Sequence, residues 1–277
     1  MQNTSVSPGS PAGGRDLSAA SVVGVGLIGV SLTTLYLFKP AFAVLSAAFI
    51  VLAVNEISQA LMARSIGVCR VPVLAGSIFM LAFAFVMGVE ALLISFSLTC
   101  LALLAWRMYQ PVSGYVKDAS ASIMVLAWVS LFGSFSMLLL RSSDGADHVT
   151  TWIALTVASD IGGYLAGTLF GTHRMAPEIS PKKTWEGFSG SVVGCIAVGI
   201  LCSCYLLDLV WWQGVSLGAT AVVAATFGDL IASVVKRDLG LKDMGSLLPG
   251  HGGVMDRLDS LLATAAPVWI LLTLFSV

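Results

Sequence analysis

Apolar residues fill this chain in long runs, and the polar positions between them are few and regularly placed. Runs of roughly 18–25 apolar residues recur from end to end, each long enough to cross a ~30 Å hydrocarbon core as a helix. The pattern predicts helices near 19–38, 41–63, 71–88, 89–106, 120–140, 150–170, 186–207, 210–235 and 258–277. The fold class that follows is an all-α polytopic membrane protein with about nine transmembrane helices. Residues 1–17, rich in Ser, Pro and Gly, read as a disordered cytoplasmic tail. Residues 18–149 read as N-terminal transmembrane helices and 150–277 as a C-terminal transmembrane catalytic region. Ala41-Phe42-Ala43 resembles a signal-peptidase site, yet the apolar stretch before it exceeds the usual ~7–15 residues. Its basic flank is a single Arg15, so no cleavage is expected.

Composition narrows the class further. Of 277 residues, 57% are hydrophobic and 10% charged, against about 25% charged in soluble domains. Mean hydropathy is +0.93 and net charge −1. Disorder, a secreted disulfide scaffold and a basic nucleic-acid-binding domain are excluded, and no nucleic-acid partner is expected. The five cysteines lie in or beside apolar stretches without zinc-site spacing, and read as small buried hydrophobes. Charge placement sets the orientation. With nine spans, twelve of the 14 Lys and Arg residues fall in the tail and the even-numbered turns, and Lys39 and Arg141 fall opposite. Basic loops stay cytoplasmic, which predicts a cytoplasmic N-terminus and a multi-pass protein of the cell (inner) membrane.

Two segments break the apolar pattern, Asp160–Gly187 and Asp229–Asp259. Each opens with a carboxylate inside an apolar run, where burial costs on the order of 2.5 kcal/mol or more and function is the default reading. Asp160, Gly163, Tyr164, Gly167 and Gly171 recur at helical intervals. The three glycines form small-xxx-small units that are expected to pack either within the chain or across a homodimer. Ser180 before Pro181 predicts a helix capped at Ser180, whose first amides and Lys182 and Lys183 form an anion site. In the second segment Thr226, Asp229, Ser233 and Lys236 form a polar stripe on one helix face. Gly250, Gly252 and Gly253 can present consecutive amides to a phosphate. Asp256, Asp259 and Ser260 share a face of the last helix. Oxygen ligands suit Mg²⁺, which takes one or two carboxylates plus substrate phosphates. Together these are the parts of nucleotide phosphate chemistry.

Ser233-x-x-Lys236-Arg237-x-x-x-x-Lys242-Asp243, followed by Pro249-x-His251-Gly252-Gly253-x-x-Asp256-Arg257-x-Asp259, resembles the signature of phosphatidate cytidylyltransferases, the CDP-diacylglycerol synthases. Ser180-Pro181-Lys182-Lys183-Thr184-x-Glu186-Gly187 and Asp160 with Tyr164-x-x-Gly167 are similar to that family too. The likeness covers roughly residues 158–262, and Glu56 sits where such enzymes often carry a glutamate. Ile161 departs from it, the family commonly having Ser or Thr there.

The resemblance implies transfer of the cytidylyl group of CTP to phosphatidate in phospholipid biosynthesis, giving CDP-diacylglycerol and pyrophosphate. It implies Mg²⁺ on Asp229 and Asp256, with Lys236, Lys242 and Arg257 as further catalytic groups. Substrate contacts are then implied for Asp160, Ser180, Lys182, Lys183, Thr184, Glu186, Ser233, His251, Gly252, Gly253 and Asp259. The active site is expected to face the cytoplasm, where CTP is dissolved, with phosphatidate and membrane lipid reaching it from the bilayer.

Two rivals fit less of the sequence. A CDP-alcohol phosphotransferase requires an Asp-Gly-x-x-Ala-Arg start and further Asp residues four apart, whereas Asp256 and Asp259 are three apart. A cation-coupled transporter would use Glu56, Asp160 and Asp229 as an ion path. Transporters, however, usually place binding residues in both repeated halves, and here the candidates crowd into the second.

Overall fold

The computed structural model describes residues 29–245, 247 and 252–275. The tail and the start of the first expected span lie outside them, as do Gly250 and His251. Helix α1 covers residues 29–37, followed by α2 (Lys39–Met62), α3 (Arg70–Val86), α4 (Val89–Met108) and α5 (Tyr115–Arg141). Then come α6 (Gly145–Phe170), β1 (Arg174–Ala176), β2 (Ser180–Thr184), α7 (Trp185–Tyr205), α8 (Trp211–Asp238) and α9 (Met255–Phe275). Among the described residues seven helices are long and apolar enough to cross a membrane, α2 and α4–α9. Helix α3 is apolar but has 17 residues. The expected break between the third and fourth helices falls at Gly88, whose φ of +99° glycine adopts without strain.

Loops alternate between the two ends of the bundle. At one end Lys117 Nζ donates to Ser65 O (2.9 Å), Arg64 reaches Gly240 O (3.4 Å) and Arg237 Nε donates to Ile179 O (3.3 Å). These contacts gather the α2–α3, α6–α7 and α8–α9 connections and the start of α5. At the other end Lys39 Nζ donates to the carbonyls of Ser142 (3.0 Å) and Ser143 (2.6 Å). Among the described residues, these contacts set Arg64, Lys117 and Arg237 at the end opposite Lys39, as the charge split predicts.

A shared apolar core runs through α2, α3, α5 and α9, with Val54, Ile57, Met80, Val125, Leu139 and Val268 all buried. Helices α6 and α7 meet differently, backbone to backbone. A Cβ on Gly162 would lie 2.5 Å from Gly190 O, and one on Gly163 would lie 2.6 Å from Ser191 Oγ. Gly167 faces Thr184 and Gly187. Of the two packing partners expected for this glycine face, the structure shows the one within the chain. Gly171 stands just past the helix as its C-terminal cap.

One expectation is corrected. Ser180 and Pro181 do not open a helix; they begin β2, which pairs antiparallel with β1 through Arg174↔Thr184 and Ala176↔Ser180. The helix starts at Trp185 because Thr184 is the better cap: its backbone is extended, and its hydroxyl accepts the Gly187 N–H at 3.1 Å. Proline, lacking a donor, is tolerated where a two-stranded ribbon starts. Among the described residues the regular structure is thus all-α apart from this hairpin and an isolated bridge at Gly252.

Candidate active site

A cavity of about 250 Å³ opens where α6, β2, α7 and the middle of α8 converge. Asp160, Ser180, Lys182, Lys183, Thr184 and Asp229 line it, beside Gly163, Tyr164 and Thr226. The two polar segments of the sequence thus meet in one place. Strand β2 brings both lysines to the cavity lining, Lys182 exposed and Lys183 half-buried. Lys183 Nζ lies 2.7 Å from Asp229 Oδ2 and donates to Thr226 O at 3.2 Å. The glycines of α6 and α7 let the helices approach until the hairpin reaches α8.

A second ion pair sits further along α8. Lys236 Nζ is 2.8 Å from Asp256 Oδ1, and Asp256 Oδ2 accepts the N–H groups of Met244 (2.8 Å) and Gly253 (3.2 Å). The Gly253 amide, expected to face a phosphate, is therefore engaged by Asp256. Gly252 holds a φ of +87° beside the Asp243 side chain, which fits its place in a tight loop.

The α8–α9 seam places Asp259 beside Gly228, next to Asp229. A Cβ on Gly228 would lie 2.6 Å from Asp259 O, so the two helices touch at Gly228. Because α8 and α9 run antiparallel, Asp256 lies about 4.5 Å along the seam from the level of Asp259. Asp229 and Asp160 line the same cavity. Asp259 is 9% exposed and accepts the Ser260 N–H at 2.7 Å.

The remaining candidates are dispersed. Ser233 is half-buried on α8, and Lys242 is exposed in the loop. Glu186 does not line the cavity. It accepts from Thr172 N–H (3.2 Å), Thr172 Oγ1 (2.7 Å) and His173 N–H (3.2 Å), and contacts His173 Nδ1 at 2.6 Å, fastening the hairpin to α7. Glu56 belongs with the site more closely than its sequence position suggests. It lies on α2, is 5% exposed, and accepts the Met255 N–H at 2.9 Å. The available signal is the one that marks Asp160, a carboxylate inside an apolar run.

The donor set fits a hard divalent cation. Asp229 lines the cavity, Asp256 opens the neighbouring helix, and both offer the oxygen donors that Mg²⁺ prefers. No group of three or more His, Cys, Asp and Glu side chains among the described residues is close enough to cage an ion alone.

Residues 18–275 match the sequence profile of the cytidylyltransferase family. The chain is similar to the phosphatidate cytidylyltransferase of Mycobacterium leprae, 40% identical over 96% of this chain and 90% of that one. It is similar to the Mycobacterium bovis protein of the same name, 39% identical over 94% of this chain and 90% of that one. The Brucella suis phosphatidate cytidylyltransferase is 36% identical over 59% of this chain and 66% of its own. The profile spans the membrane helices and both polar segments together, and so the chain belongs to the cytidylyltransferase family.

Proposed function

We propose that this protein is a phosphatidate cytidylyltransferase, joining CTP to phosphatidate to give CDP-diacylglycerol and pyrophosphate. The observation that carries this reading is the Lys183–Asp229 contact on the wall of a cavity toward one end of the bundle, with a second lysine–carboxylate pair, Lys236–Asp256, about two turns further along α8. In the reaction a phosphatidate phosphate oxygen attacks the α-phosphorus of CTP. A new O–P bond forms, the bond to the β-phosphate oxygen breaks, and pyrophosphate leaves with its electron pair. A phosphomonoester has its second pKa near ~6, so the nucleophile is already largely ionised at neutral pH and no strong base is needed.

The barrier is the approach of two anions. Lys183 is held at the cavity wall by Asp229 and the Thr226 carbonyl, placed to donate to phosphate oxygens, and Lys236, held by Asp256, adds positive charge further along α8. Lys182, exposed at the mouth, adds a further positive charge there. Asp229 and Asp256, with Asp259 beside them, would hold Mg²⁺, which screens the triphosphate and polarises its α-phosphate. Tyr164, also on the lining and 71% exposed, marks the side on which the lipid's apolar body stays in the bilayer. In this reading the protein sits in the cell membrane with the basic end of the bundle toward the cytoplasm, which admits CTP directly.

The test is pyrophosphate release by purified protein in detergent. It should require CTP, phosphatidate and Mg²⁺ together. Release from CTP without lipid, or none with all three, would contradict the assignment.

A further inference from the structure

Glu56 connects the N-terminal half of the bundle to the loop that carries Asp256. Its partner Met255 is 199 residues away in sequence and is the first residue of α9. A helix leaves its first N–H groups without internal partners, and a carboxylate there satisfies one of them. Here that carboxylate is borrowed from another helix. The loop is shaped around it: a Cβ on Gly245 would strike Oε1, and one on Gly253 would lie 2.7 Å from Oε2 and 2.7 Å from Gly245 N. Glycine at both positions lets the two arms of the loop close on the Glu56 side chain.

A second observation sets this residue apart from ordinary packing. Oε1 is buried with no hydrogen-bond partner among the described residues. An unpaired buried oxygen opposes folding, so an apolar side chain of the same size would serve a packing role better. The same loop amides then hold the neighbouring carboxylate, since Gly253 N–H and Met244 N–H both donate to Asp256 Oδ2. We propose that Glu56 is a positioning residue for cytidylyl transfer: it clamps the α8–α9 loop against the start of α9 and thereby fixes the orientation of Asp256. This rests on the reading of Asp256 as a cation-holding residue given above.

The experiment uses full-length protein in detergent micelles with Glu56→Ala, Glu56→Gln, Gly253→Ala and the Glu56→Ala/Gly253→Ala pair. Amide hydrogen exchange over residues 243–256 reports the clamp. Turnover against Mg²⁺ concentration at saturating CTP and phosphatidate reports its consequence. Glu56→Ala should accelerate exchange at Met244, Gly253 and Met255, lower kcat by about tenfold or more, and raise the half-activating Mg²⁺ concentration several-fold. The KM for phosphatidate should stay within about twofold. Glu56→Gln keeps an acceptor for the Met255 N–H and should recover most of the protection and turnover. Gly253→Ala should reproduce the Glu56→Ala behaviour with the carboxylate still present, and the pair should be little worse than either alone. Unchanged exchange in Glu56→Ala overturns the clamp. Faster exchange with normal turnover and Mg²⁺ response overturns the positioning role. Equal loss in the Ala and Gln variants, tracking a lower melting temperature, also overturns it in favour of a packing role. Normal turnover in Asp256→Asn alongside the expected exchange pattern would instead refute the reading of Asp256.

Discussion

Lys182 and Lys183 are adjacent in sequence and read alike there, as two charges at a membrane surface. The structure separates their roles: both line the cavity, but Lys182 is exposed, while Lys183 is half-buried and pairs with Asp229 at 2.7 Å. Lys183→Gln should therefore lower kcat/KM by about 10- to 100-fold, and Lys182→Gln by only a few-fold, with the Lys182 effect weakening at high salt. Equal losses in steady-state kinetics would contradict the difference. Asp229→Asn and Asp256→Asn each keep the side-chain shape and lose the charge that holds a divalent ion. Each should abolish turnover in folded, membrane-inserted protein, and the double variant should be no worse, since both remove one shared site. Asp238 is exposed and outside the signature, so Asp238→Asn should retain near-normal turnover.

Among the elements, the helices were legible because apolar runs of this length leave a membrane chain few alternatives. Expected bounds such as 41–63 and 210–235 fall within a few residues of α2 and α8. The β1–β2 hairpin was not legible. Ser180-Pro181 carries a helix-start pattern, and what overrides it is the Thr184 cap together with pairing to Arg174–Ala176, a partner that no local pattern announces. Thr184→Ala should cost about 0.5–2 kcal/mol, lowering the melting temperature and loosening the hairpin that presents Lys183. The α6–α7 seam makes a stronger demand. A Cβ at Gly190 would lie 2.5 Å from Gly162 O, so Gly190→Ala should destabilise the protein by ~1–3 kcal/mol, measured as thermal unfolding in detergent. A stable Gly190→Ala variant would mean the helices are further apart than described.

At the scale of the whole molecule, charge placement carried more information than its net value of −1 suggests. The basic loops gather at one end, and Lys39 and Arg141 lie at the other. In a cysteine-free background, Ser143→Cys should react with an impermeant maleimide on intact cells, and Ser65→Cys only after permeabilisation. The reverse result would invert the topology. What the sequence could not show was convergence: that Lys183 would meet Asp229, or that Glu56 would reach across 199 residues to Met255. Such contacts depend on helix packing, to which periodicity along one helix is blind. In the proposed reaction this converged site moves the α-phosphate of CTP onto a lipid phosphate. That transfer is tested most directly by following label from α-³²P- and γ-³²P-CTP with phosphatidate and purified protein. The account predicts that α-label enters the lipid fraction, γ-label leaves as pyrophosphate, and Asp256→Asn does neither. Lipid labelled from γ-CTP, or α-label entering lipid equally well with Asp256→Asn, would contradict it.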